Sequence, residues 1–209
     1  MHIFAKAGLG VGAVAGIGGA GYGIYNVMQP APKAPEKINI VKIRNTFGEA
    51  IINFSTENTL VSEKLKKLKE DSSDPKHTKL KEAKRKEIAK PNDGLEDFRN
   101  ACQEIYYSGF TNKSSDTFKD FQSFCARTIK DKITKESWAT DRANWKGRFD
   151  KLNKKEINPS SQELQQIASK TSQNGNELRD WCTKVADLVF EGSENASFRD
   201  AQASCGKND

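Results

Sequence analysis

Histidine is scarce in this 209-residue chain, which holds only His2 and His77. That scarcity narrows the available chemistry. A His-based triad would have to recruit His77 from a hydrophilic, lysine-rich stretch, and no GxSxG, HExxH or strand-linked glycine-rich phosphate loop occurs. No CxxC pair is present and neither histidine is near a cysteine in sequence, which argues against a zinc site. Acids are plentiful, yet none stands in an apolar setting that would raise its pKa. The sequence thus points away from an enzyme, and no catalytic residue, metal or cofactor is expected. Aromatic residues are missing from Val61 to Lys90, where eleven Lys and Arg stand against six Asp and Glu. Without aromatic interleaving, and with acids interspersed, this run reads as a solvated helix face and not as a nucleic-acid site, so no nucleic-acid partner is expected. Asp71 to Asp74 followed by Pro75 should split it into two short helices.

Charge is absent from Ala7 to Met28, a run of 22 residues that would span about 33 Å as a helix, enough for a bilayer core. Eight glycines lie in it, and Gly8, Gly12 and Gly16 form consecutive GxxxG steps that would let a second helix approach closely. The segment reads as an uncleaved membrane anchor able to self-associate through those glycines. A cleaved signal, with a small-residue site at Gly18-Gly19-Ala20, and a glycine-rich tail remain the alternatives. Gln29 to Lys37 carries three prolines and reads as a semi-rigid spacer. The flanking lysines, Lys6 before the segment and Lys33 and Lys37 after it, orient it only slightly, and the cysteines decide. Disulfides need an oxidising compartment, which places the C-terminal domain outside a single-pass cell membrane.

Cysteine is limited to four positions, and all four belong to one pattern written twice, eighty positions apart. Phe98 to Cys125 and Leu178 to Cys205 align without a gap over 28 columns. Seven of these are identical: Arg99/Arg179, Cys102/Cys182, Phe110/Phe190, Phe118/Phe198, Asp120/Asp200, Gln122/Gln202 and Cys125/Cys205. Helical spacing of Phe98, Cys102 and Ile105, and of Phe118, Phe121 and Cys125, surrounds a polar link at Ser108 to Ser115. Each unit thus reads as a helical hairpin with a cysteine pair at its open end. Four cysteines allow three pairings; a duplicated unit carrying its own staple favours Cys102 with Cys125 and Cys182 with Cys205. Asp93-x-x-Glu96 and Asn174-x-x-Glu177 resemble capping boxes upstream of the two units. Arg99/Arg179 and Asp120/Asp200 read as structural charges or helix-end residues. A looser similarity, Thr59-Leu60 with Lys64-Leu65 against Thr128-Ile129 with Lys132-Ile133, would extend the repeat to roughly 58–125 and 127–205.

Between the units, Trp138, Trp145, Phe149 and Leu152 fall on one helical stripe and read as core, and a further helix is expected from Pro159-Ser160, capped by Ser160-x-x-Glu163. Ile38 to Leu60 mixes strand-like alternation with the helical spacing of Phe47, Ile51 and Phe54, and helix is favoured. The whole is a mainly α fold: an N-terminal transmembrane helix and a helical ectodomain holding two similar disulfide-stapled hairpins. Its parts are 1–28 (anchor or signal), 29–37 (spacer), 38–94 (charged, helical), 95–129 (first cysteine unit), 130–174 (connecting helices) and 175–209 (second cysteine unit). A mean hydropathy of −0.75 and 30% charged residues leave modest material for a core, and a net charge of +6 favours weak attraction to acidic surfaces.

The start KAGLGVGAVAGIGGAGYG, the LxxWC of Leu178 to Cys182 with its following phenylalanine and closing Cys205, and the aromatic-basic run Trp145-Lys146-Gly147-Arg148-Phe149 together resemble large paralogous families of membrane-anchored surface proteins of haemotropic mycoplasmas. The first unit departs from that pattern, having Ala101 where the second has Trp181. The resemblance implies surface display, with roles in host-cell attachment and antigenic variation, and it supplies no catalytic residues. Expected partners are the membrane, host-cell surface molecules and further copies joined through the membrane helix.

Overall fold

A computed structural model describes residues 40–133, 138–140, 143–171 and 174–206. Gly8, Gly12 and Gly16, and the anchor and spacer readings of 1–28 and 29–37, lie outside the described residues. Among the described residues the architecture is helical, extended backbone occurs only as isolated bridges, and no helix is long and apolar enough to cross a membrane. The first half runs α1 (Ile43–Thr46), a 3₁₀ turn (Gly48–Ala50), α2 (Asn58–Glu70), α3 (Thr78–Ala89), α4 (Leu95–Tyr107) and α5 (Asp116–Asp120), which passes into a π-helical turn at Phe121–Cys125. The second half runs α6 (Ile129–Lys132), α7 (Trp145–Asn153), α8 (Gln162–Ala168), α9 (Asn176–Ala186) and α10 (Ala196–Ser204).

Apolar spacing explains which faces go inward. On α2 the buried positions are Val61, Lys64, Leu65 and Leu68; on α7 they are Trp145, Arg148, Phe149 and Leu152, the same i, i+3, i+4, i+7 pattern. Each half encloses a core of its own. Phe47, Leu68, Leu80, Phe98, Ile105, Phe118 and Phe121 fill the first, and Ile129, Trp145, Phe149, Leu164, Leu178, Trp181 and Phe198 the second. Val189 is the exception, since it is contributed by the second half and packs into the first core.

The backbone closes the two halves with matching bonds. In the first, Ile43 N–H donates to the Ser108 carbonyl (3.0 Å) and Phe110 N–H to that of Val41 (2.8 Å); in the second, Ile129 N–H donates to Leu188 (2.9 Å) and Phe190 N–H to Arg127 (2.9 Å). The other end of each half is tied by a bridge as well, Ile51 to Ala126 and Trp138 to Gly206. Lys42 and Thr128 therefore hold like positions. The looser similarity that set Thr128-Ile129 against Thr59-Leu60 is displaced accordingly, because Thr59 and Leu60 lie on α2 and the counterpart of α2 by its buried stripe is α7.

Several local expectations are corrected. The described part of the Ile38 to Leu60 stretch, from Ile40 on, is not one helix: α1 and the 3₁₀ turn stop early, Ile51 pairs with Ala126, and the helix proper begins at Asn58. Trp138 is buried, but it stands in the bridge to Gly206 and outside α7, so the four-residue stripe begins at Trp145. Neither upstream capping box forms, for α4 and α9 start after Gly94 and Gly175 with no side-chain cap. Gly175 has φ 72°, and a Cβ there would strike the Trp145 carbonyl, so a glycine satisfies both the turn and the close approach. Asn174 instead accepts from the Asn176 N–H (3.0 Å). The cap of α8 is Ser161, one residue later than expected, accepting from Leu164 N–H (3.4 Å). The split of the lysine run into α2 and α3 around Pro75 is as the sequence indicates.

Candidate functional site

Each cysteine pair is joined within its own unit, Cys102 to Cys125 and Cys182 to Cys205, both with a sequence separation of 23 and both buried. The bonds tie α4 to the π-helical turn and α9 to the end of α10. Beside each is a buried carboxylate in the same task. Asp120 accepts from the backbone N–H groups of Lys76 (2.8 Å) and His77 (2.6 Å), ahead of α3. Asp200 accepts from those of Ser160 (2.7 Å) and Ser161 (2.7 Å), ahead of α8. These are helix starts whose free N–H groups need acceptors, and an anion there also meets the positive end of the helix dipole. The repeated arginines do not share a role in this way: Arg179 pairs with Asp180 (3.1 Å) at the surface, while Arg99 is half-buried with its Nε unpaired.

The groups that sequence reasoning missed lie where the halves meet. Lys64, in the apolar register of α2, is only 4% exposed, and its Nζ reaches Asp131 of α6 at 2.5 Å. Burial pushes the Lys64 pKa below the ordinary lysine value, against the opposing pull of Asp131. Asp131 is fixed in turn by a capping box with Thr128, whose N–H donates to it (2.8 Å) and whose hydroxyl accepts from the Asp131 N–H (3.3 Å). One helical turn along α2, Lys67 pairs with Asp187 (2.8 Å), and Gln122 donates to the Asp187 carbonyl (3.1 Å). Lys113 pairs with Glu191, and Arg127 binds Glu57 (2.6 Å) and the Glu49 carbonyl (2.6 Å). Burial raises the Glu57 carboxyl, but the hydrogen bonds from Arg127 and the Asn53 N–H outweigh it and leave the pKa below the ordinary carboxylate value. A lysine in the i, i+3, i+4, i+7 stripe of α2 was the available signal; its partner, distant in sequence, gave none.

Around these pairs is an open cleft of about 520 Å³ lined by Lys64, Lys67, Glu70, Thr128, Lys130 and Asp131. Its chemistry is that of paired charge: Lys64 and Lys67 of α2 meet Asp131 and Asp187 of the second half. A second depression gathers His77, Lys79, Glu104 and Asp116; His77 Nε2 lies 3.5 Å from Glu104, which Lys79 also contacts. Among the described residues no group of three or more His, Cys, Asp and Glu is arranged to hold a metal ion. No family model, curated protein or solved structure matches the chain.

Proposed function

We propose that this is a membrane-anchored surface protein whose ectodomain, two copies of one disulfide-stapled helical module docked end to end, works by binding host-facing molecules. The observation that carries it is the pair of buried disulfides, one per module, in a hydrophilic helical domain that follows an uncharged 22-residue segment. Such bonds persist in oxidising compartments, and the uncharged segment supplies the means of retention at the cell surface. The matched closing bonds, the common buried stripe of α2 and α7 and the common duty of Asp120 and Asp200 support the tandem reading. Binding is favoured because the prominent charged groups of the cleft and of the helix starts are engaged in holding the fold.

Protease shaving of intact cells, with non-reducing peptide mapping of what is released, tests location and topology together. Release of peptides from 40–206 with both bonds intact is the expected result; protection of the domain until the cells are lysed would end the reading. Host-cell adherence of the chain should exceed that of a size-matched basic control at physiological salt and should weaken on reduction. Equal adherence by the control would assign the effect to net charge. The GxxxG steps at Gly8, Gly12 and Gly16 favour a second role, in which the membrane helix assembles the protein into oligomers. Crosslinked oligomers that vanish on replacing Gly12 and Gly16 by Leu would mark it.

A further inference from the structure

An aliphatic and an aromatic side chain lie exposed on the face where the chain enters the first half. Ile40 is 61% exposed and Tyr107 51%. Lys42 and Arg44 lie over the Tyr107 ring at 5.2 and 4.6 Å, and Arg44 also donates to its hydroxyl. Ile40 is held there by a close backbone approach, since a Cβ on Gly109 would collide with its Cγ2.

The second half shows what this face is for. By the matched closing bonds, Val41 to Asn45 correspond to Arg127 to Asp131, and Tyr107, Gly109 and Thr111 to Asp187, Val189 and Glu191. In the second half that face is covered: Val189 enters the neighbouring core, and Asp131, Asp187 and Glu191 meet Lys64, Lys67 and Lys113. In the first half the three acids are replaced by Asn45, Tyr107 and Thr111, Lys42 and Arg44 stand beside them, and the place of Val189 is taken by the outward Ile40. An acidic docking face with an apolar knob has become a basic one with an apolar knob. The surface that complements it is anionic.

Chain connectivity selects which anionic surface. Only eleven residues, 29 to 39, separate the uncharged segment from Ile40, and Lys33 and Lys37 lie among them. Fully extended, eleven residues reach no more than about 40 Å, so the face stays near the bilayer at high local concentration. Aliphatic and tyrosine side chains ringed by Lys and Arg are suited to the headgroup region of an anionic membrane. We propose that the face carrying Ile40, Lys42, Arg44 and Tyr107 lies on the anionic lipid surface in which the N-terminal segment is anchored, an inference that rests on the anchored reading above.

The test uses the full chain in nanodiscs of zwitterionic lipid and in nanodiscs containing one third anionic lipid, read by hydroxyl-radical footprinting. Labelling of Ile40 and Tyr107 should fall by about fivefold in the anionic discs, while Ile88, 57% exposed on α3, serves as the unchanged reference. The double variant Lys42→Glu, Arg44→Glu alters only exposed positions and should restore labelling. A chain retained in both discs through an alkaline carbonate wash whose Tyr107 labels equally in the two overturns the lipid face alone. A chain stripped from both discs by that wash overturns the anchored reading and this one with it. Protection that is equal in both lipids and grows with the number of copies per disc assigns the face to a second copy, and overturns the proposal as well.

Discussion

Lys64 and Asp131 do not contribute alike, although they form one ion pair. Removing a buried cation along with its desolvation cost is cheap when an apolar group of similar length takes its place, whereas removing the acid leaves that cation buried and unpaired. Lys64→Met should therefore change stability by no more than about 1 kcal/mol, and Asp131→Asn should lower it by about 3 kcal/mol, both measured by urea unfolding. Equal losses in the two variants would show that the pair acts through packing. Glu57 gives a prediction in pH. Its folded pKa lies below its ordinary 4.5, so its share of stability is fully present above the ordinary value and is lost as pH falls through the folded one. Glu57→Gln should lower stability near neutrality and flatten the acid limb of the profile, so that the variant and the parent converge at low pH, which unfolding midpoints across an acid series would reveal.

The two helices between the closing bridges and the cysteine unit are shorter in the second half, nine and seven residues for α7 and α8 against thirteen and twelve for α2 and α3, so its staple carries more of the burden. Each bond closes a loop of similar length and contributes about 3 kcal/mol. Cys182→Ser with Cys205→Ser should open the second half first, seen as loss of amide protection confined to 129–206. The corresponding variant in the first half should lower the overall midpoint while α2 to α4 stay protected. Helix identity, the hairpin units and the break near Pro75 were legible in the sequence, because apolar spacing and a proline are local signals. Asp120 and Asp200 were legible as helix-end residues only because they recur; their acceptance from N–H groups some forty positions upstream is a tertiary fact. The stripe of three aromatics and Leu152 misled because Trp138 suits a helical register that the bridge to Gly206 overrides. The seam was invisible for the same reason, since Lys64 and Asp131 are joined by packing and not by spacing.

The halves are joined with almost no slack. Ala126 is bridged to Ile51 in the first and Thr128 to Val189 in the second, which leaves Arg127 alone as the link, itself held by Glu57 and the Glu49 carbonyl. Screening of the seam pairs by salt should be modest where they are buried, as at Lys64, and larger at Lys67 and Asp187. The two staples acquire another meaning when the chain is pulled. Tension applied between Ile40 and Gly206 runs along the backbone to Cys102, crosses the sulfur bridge to Cys125, and in the second half passes from Cys182 to Cys205 in the same manner. The segments between the paired cysteines bear no load, and each bridge hides about 80 Å of contour length from the pull. In single-molecule stretching the oxidised protein should therefore extend about 160 Å less than the reduced one. Under such a pull Phe110, Phe118, Phe190 and Phe198 would stay inside intact loops while the rest of each half yields.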